Sequence, residues 1–264
     1  MTTPSTRVPG SLAEQRALLF DLDGVLTPTA DVHMRAWSRL FTPYLEQHGV
    51  APYTEQDYYA YIDGKPRYDG VRSLLVARGI RVPEGDPSDG PDADTVCGLG
   101  NRKNAAFNAE LEENGVLPYP GSARFLDAAI AAGYLVAVVS SSANARSVLR
   151  TAGILDRFPV VVDGAVAIAD HLAGKPAPDT FVDAAHRLGL TPASCVVFED
   201  ALAGVQAGHA GAFGLVVGVD RGAGADALRA HGADVVVPDL ADLVDDLPAP
   251  GTVTHPTDAP GKDA

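Results

Sequence analysis

Cysteine is scarce in this 264-residue chain, with only Cys97 and Cys195 present. Two thiols so far apart exclude a disulfide scaffold and the clustered ligands of a structural zinc site. Basic residues are also few: 20 Lys and Arg stand against 34 Asp and Glu, for a formal net charge of −14. That balance argues against binding a nucleic-acid backbone, which needs clustered cations, but leaves room for a small anion held by a few local ones. No apolar run approaches the ~20 residues of a membrane span. The opening MTTPSTRVPGSLAEQR contains no apolar stretch of the kind a secretion signal requires. The expectation is a cytoplasmic protein with no nucleic-acid or membrane partner.

What the chain does have is apolar material in a regular order. Hydrophobic residues make up 46% and charged residues 20%, enough for a sizeable core. The runs ALLFDLD, LVAVVSSS, FPVVVDG, SCVVFED, GLVVGVD and ADVVVPDL read as strands buried on both faces. Helical patterns lie between them: SARFLDAAIAAGY, NARSVLRTAGI, PDTFVDAAHRLGL and ALAGVQAGHAGA. Ser122 is a candidate N-cap for the first of these helices, and Gly133 lies near its stop. This alternation predicts an α/β fold, a Rossmann-like parallel sheet with helices on both faces. Residues 1–13 and 249–264, rich in Pro, Thr and Gly, are expected to be disordered tails, and residues 82–95 a loop between helices.

Open parallel sheets bind ligands beyond the carboxyl ends of their strands. Asp21 and Asp23 follow the first strand, Ser140 follows LVAVV, and Glu199 and Asp200 follow SCVVF. Four carboxylates meeting at one edge repel each other unless a cation joins them. Oxygen ligands without thiolates favour Mg²⁺.

These same positions carry a family resemblance. DLDGV, the serine ending the second long strand, the lysine of GKPAPDTF and the ED of FEDALAG are similar to the four motifs of the haloacid dehalogenase superfamily, from about Leu18 to Leu240. FDLDGVLTPTADVHMRAWSRL, RKN near residue 103, SSSAN and EDALAGVQA resemble its β-phosphoglucomutase-like branch. The resemblance implies an inserted α-helical cap domain at residues 33–113. The α/β core then comprises residues 14–32 and 114–248.

It also implies an aspartyl-phosphate mechanism. Asp21 is the expected nucleophile and Asp23 the general acid and base. Asp21, Glu199, Asp200 and the Asp23 carbonyl are the expected Mg²⁺ ligands. Ser140, the Ser141 N–H and Lys175 are expected to bind the reacting phosphate. Thr29, His33, Arg67, Lys103 and Asn104 are the expected cap-side and substrate residues, with Arg67 on the phosphate that does not react. Trp37 and Tyr44 are expected in the cap core.

Asp63 and Ala143 stand where the resembling mutases have lysines, and the 82–95 loop is longer. The expected activity is interconversion of β-glucose 1-phosphate and glucose 6-phosphate by a monomer. The alternative is a phosphatase acting on a small sugar phosphate, with water as acceptor.

Overall fold

The computed structural model describes residues 12–254. Six parallel strands form one sheet in the order β3-β2-β1-β4-β5-β6. They are β1 (Ala17–Phe20), β2 (Leu135–Val139), β3 (Val160–Val162), β4 (Cys195–Glu199), β5 (Leu215–Val219) and β6 (Val235–Val237). The order runs outward from β1 in both directions, so β1 and β4 flank the point where the topology reverses.

Alternate residues of each strand face opposite sides of the sheet. Leu18, Phe20, Val136, Val138, Val196 and Phe198 join one apolar cluster. Ala17, Leu19, Ala137, Val139, Cys195 and Val197 join the other. The unbroken apolar runs therefore reflect a sheet covered on both faces. At its centre the Phe20 and Phe198 rings stack with centroids 4.8 Å apart. Burying such a side chain contributes roughly 1.5–3 kcal/mol.

Helices α5 (Pro120–Ala132), α6 (Ala145–Thr151), α7 (Gly164–Ala169), α8 (Asp179–Arg187), α9 (Leu202–Ala210) and α10 (Ala225–Ala230) accompany the strands. The sequence reading did not anticipate α7. It is short, and its start is set by Asp163, whose side chain accepts from the Ala165 and Val166 N–H groups at 3.0 and 2.9 Å. Ser122 is not the N-cap of α5: Tyr119 is, with Pro120 in the first turn. Ser122 lies inside the helix, fully buried, and donates to the Val25 carbonyl at 2.6 Å. Gly133 does end α5, at φ +101° in the left-handed region.

Between β1 and α5 lies the helical insert: α1 (Thr29–Gln47), α2 (Glu55–Asp57), a π-helical turn Tyr58–Ile62, α3 (Arg67–Ala77) and α4 (Val96–Asn114). It has its own apolar cluster, which includes Trp37, Phe41, Tyr44, Leu74 and Leu99. Residues 82–95 form the expected connection between α3 and α4.

The expected tails fall mostly outside the described residues. The described parts depart from that expectation. Leu12 is buried in the sheet cluster, and its carbonyl accepts from Tyr134 Oη at 2.6 Å. Gly251 and Val253 donate backbone N–H groups to Ala131 and Ala132 at 3.0 Å each. An apolar side chain and free helix-end carbonyls anchor these stretches despite their polar composition. Among the described residues no helix is long and apolar enough to cross a membrane.

Candidate active site

β1 and β4 pair with Phe20 opposite Phe198, so Asp21, the first residue after β1, stands beside Glu199, the last residue of β4. The Asp21 N–H still reaches the Phe198 carbonyl, at 2.9 Å. The chain then turns sharply, with Leu26 and Thr27 both donating to the Leu22 carbonyl at 3.0 Å. Gly24 sits in this turn at φ +87°, and a Cβ there would lie 1.8 Å from Asp200 Oδ2. Only glycine lets the Asp200 carboxylate rest against the loop. Gly204 does the same for its neighbour, since a Cβ there would fall 1.8 Å from Glu199 Oε1. Arg221 fastens the turn from outside: Nε donates to the Gly24 carbonyl at 3.0 Å, and the guanidinium lies 4.0 Å from the Tyr119 ring centroid.

Lys175 reaches into the acidic edge from the loop before α8. Its Nζ donates to Asp21 Oδ1 and Glu199 Oε1 at 2.5 Å each and to the Val139 carbonyl at 3.1 Å. All three ammonium donors are therefore satisfied. Burial alone would lower the Lys175 pKa, but Asp21 and Glu199 reverse this and raise it. Ser140 is the first residue after β2, and its Oγ accepts from the Ser142 N–H at 3.1 Å. Glu199 is fully buried, and its other oxygen accepts from the Ala201 N–H at 3.1 Å.

One oxygen from each of Asp21, Glu199 and Asp200 lies within 4.8 Å of the others. Burial raises the pKa of Asp200 well above the carboxylate range, and the charges of Asp63, Glu199, Asp21 and Asp23 raise it further. Burial likewise raises Asp21, against the lowering effect of Lys175. Lys175 neutralises only part of this cluster, and the donors are hard oxygens. The set fits a divalent cation, which would return these carboxylates to their charged forms. The Asp23 carboxylate is not among the three.

Asp23 instead faces the insert. Thr29 Oγ1 donates a short hydrogen bond to Asp23 Oδ1, and His33 Nε2 stands 3.5 Å from the same oxygen. Burial raises the Asp23 pKa, but the His33 charge, hydrogen bonding and Lys103 outweigh it and leave the group below its ordinary value. Behind His33, its Nδ1 lies 2.5 Å from Lys103 Nζ. Burial pushes Lys103 down to about 7. Burial and the Lys103 charge lower His33 as well.

The insert closes over this edge. Ser141 Oγ donates to the Gly64 carbonyl at 2.8 Å, and Asn144 Nδ2 donates to Asn104 Oδ1 at 2.6 Å. A Cβ on Gly174 would lie 2.5 Å from Pro66 Cγ, so the Lys175 loop meets the insert without clearance. The cavity between them is about 70 Å³, with Asp21 and Asp23 on one wall and Arg67, Lys103 and Asn104 on the other. Trp37 and Tyr44 are in the insert core as expected, and Trp37 also lines the cavity. Lys65 borders the cavity too, although its Nζ donates to the Tyr61 carbonyl and Ser73 Oγ at 3.0 and 3.2 Å.

Among the expected site residues, Ser140, Thr29 and Lys175 touch the site through hydrogen bonds rather than as cavity-lining residues. The sequence reading missed Tyr58, Asn144 and Arg221. It noted Asp63 only as a departure, yet Asp63 lines the cavity, with its pKa pushed up to about 7 by burial. Asn144 was within reach in SSSAN; the other two sit in segments with no repeated pattern.

An acidic strand edge that traps a lysine, roofed by helices inserted after the first strand, is an architecture of the haloacid dehalogenase kind. The chain belongs to that family: the haloacid dehalogenase-like hydrolase family matches residues 15–211. Within it, the chain is 52% identical over 250 residues to a β-phosphoglucomutase of Mycobacterium bovis, covering 90% of this chain and 95% of that one. It is 34% identical over 233 residues to the β-phosphoglucomutase of Bacillus subtilis, covering 88% and 93%. The crystal structure of a Clostridium difficile β-phosphoglucomutase superposes with a TM-score of 0.71 at 25% identity, over 87% of this chain and 93% of that one.

Proposed function

We propose that the protein is a β-phosphoglucomutase, interconverting β-glucose 1-phosphate and glucose 6-phosphate through the 1,6-bisphosphate. One observation carries this beyond the comparisons: a single cavity is lined by Asp21, which Lys175 holds from behind, on the core side and by Arg67 on the cap side. A bisphosphate needs two such ends.

In this reading the Asp21 carboxylate exchanges its phosphoryl group with the sugar. From the phosphorylated enzyme, the C6 hydroxyl of β-glucose 1-phosphate attacks phosphorus while Asp23 takes its proton. The bisphosphate then presents its C1 phosphate. Asp21 attacks, and Asp23 returns the proton to the departing C1 oxygen. Lys175 orients Asp21 and offsets charge on the transferring group, with Ser140 and the Ser141 N–H as further phosphate donors. Thr29 and His33 hold the Asp23 carboxylate in place. Lys103 lies behind His33, and Asn104 ties the cap to the Ser140–Asn144 loop. Asp21, Glu199, Asp200 and the Asp23 carbonyl would hold Mg²⁺, which when bound would neutralise the approach of carboxylate to phosphate.

The division into a core of residues 14–32 and 114–248 and a cap of residues 33–113 is supported by the third apolar cluster, drawn from within the insert. The paucity of cysteine suits the cytoplasm. A 70 Å³ space is too small for a sugar bisphosphate, so the cap opens to admit it and closes against water.

The test supplies β-glucose 1-phosphate with Mg²⁺ and a trace of 1,6-bisphosphate, and measures glucose 6-phosphate and free phosphate together. Glucose 6-phosphate should dominate. Stoichiometric free phosphate would make the protein a phosphatase instead.

A further inference from the structure

The 82–95 loop has no part in the chemistry above, yet it is built against the residue that is to hold the distal phosphate. Asn101, on α4, joins them. Its Oδ1 accepts from Arg67 Nη1 at 2.9 Å and from Tyr68 Oη at 3.0 Å. Its Nδ2 donates to the Pro87 and Asp89 carbonyls at 3.0 and 2.9 Å. All four hydrogen-bonding positions of the amide are filled, two toward the arginine side and two toward the loop. Arg102 adds a second tie, with Nε donating to the Pro91 carbonyl at 2.6 Å.

Two glycines in the same helix support this reading. Glycine inside a helix is unfavourable by about 1 kcal/mol against alanine. A Cβ on Gly98 would lie 2.3 Å from the Ala93 carbonyl oxygen of the loop. A Cβ on Gly100 would lie 2.7 Å from Tyr68 Cδ1 and 3.2 Å from Arg67 Cδ. One glycine admits the loop and the other admits the arginine, within one turn of the amide that connects them.

The choice of an amide also matters. Arg67 is part-buried and borders the reaction cavity, and Asn101 orients it without neutralising it. A carboxylate in that place would hold the guanidinium equally well but cancel the charge that a phosphate needs.

We propose that Asn101 is a positioning residue for Arg67, and that the 82–95 loop is the fixed support from which it acts. The loop thereby sets affinity for the non-reacting phosphate of the bisphosphate. This rests on the reading of Arg67 as the distal-phosphate ligand.

The experiment is a double-mutant cycle on the full chain with Arg67→Ala, Asn101→Ala and both together. KM for β-glucose 1,6-bisphosphate in the mutase reaction is followed beside hydrolysis of p-nitrophenyl phosphate, which has no second phosphate. Asn101→Ala should raise the bisphosphate KM by ~10-fold, the loss of about one well-made hydrogen bond to a charged group. Its effect on p-nitrophenyl phosphate should stay within about 2-fold, and it should add nothing once Arg67 is already alanine. A variant with residues 86–93 replaced by a short Gly-Ser link should raise the same KM similarly. An unchanged KM in Asn101→Ala, additive losses in the double variant, or parallel loss of both reactions with a lower Tm would each overturn the proposal while leaving Arg67 in its role. An unchanged KM in Arg67→Ala would overturn that role, and the proposal with it.

Discussion

Two lysines are almost fully removed from water, one on each side of the cavity. Lys175 and Lys103 are 3% and 4% exposed. On the core side, Lys175 meets two carboxylates and its pKa rises. On the cap side, Lys103 meets His33 and the faces of Trp37 and Phe107, with ring centroids 4.9 and 5.0 Å away, and its pKa falls to about 7. Burial is the same for both; the partners decide the charge. The core edge is thus a fixed electrostatic assembly, whereas the cap wall can change its protonation near neutral pH.

The largest expected effect breaks the core side. Asp21→Asn should lower mutase turnover by at least about 10⁴-fold, as loss of a nucleophile does. Its Tm should hold or rise, because a repelling carboxylate is gone. Turnover measured beside thermal melting checks this, and a well-folded, active variant would remove Asp21 from its role. Asp200→Ala should come next. It should raise the Mg²⁺ concentration for half-activity by at least about 100-fold, read by titrating the chelated enzyme.

The cap side predicts something different, a pH-dependent stability. The folded pKa of Lys103, about 7, lies below the unfolded value of 10.5. Between these values the unfolded chain binds more protons, so this group makes stability rise with pH across the window. Below about pH 7 the penalty of a buried charge is fully present. Lys103→Met should therefore be more stable than the parent by a few kcal/mol at pH 6, with the gap closing toward pH 10. Urea unfolding at several pH values measures it. A gap that does not change with pH would mean that Lys103 is charged throughout.

The smallest expected effect lies where the two sides touch. Asn144→Ala removes the bond to Asn104 and should weaken closure by about 1 kcal/mol, or roughly 5-fold in KM. Steady-state kinetics detect this.

The same contrast explains what could be read from the sequence. The core site was legible because buried parallel strands deliver their next residues to one edge, and Asp21, Ser140, Glu199 and Asp200 stand there. Lys175 came from its motif. The cap was legible only where a motif marked it, as with His33, Arg67 and Lys103. Asn101 carries no local signal: its meaning comes from Pro87, Asp89 and Arg67, which a loop and a helix bring together. Asp63 likewise gains its environment only when the cap meets Glu199 and Asp23. Ser122 misled because Pro120, two residues earlier, is the stronger helix-start residue.

Helix α4 has a consequence beyond the site. Val96 and Leu99 near its start pack in the insert cluster, while Phe107 and Leu111 further along pack in the sheet cluster. Helix α1 is shared in the same way, with Ala36 in one cluster and Trp37 in the other. A rigid rod common to two cores cannot melt at one end without loosening the other. The enzyme should therefore denature in a single cooperative step, its calorimetric and van't Hoff enthalpies agreeing across both clusters.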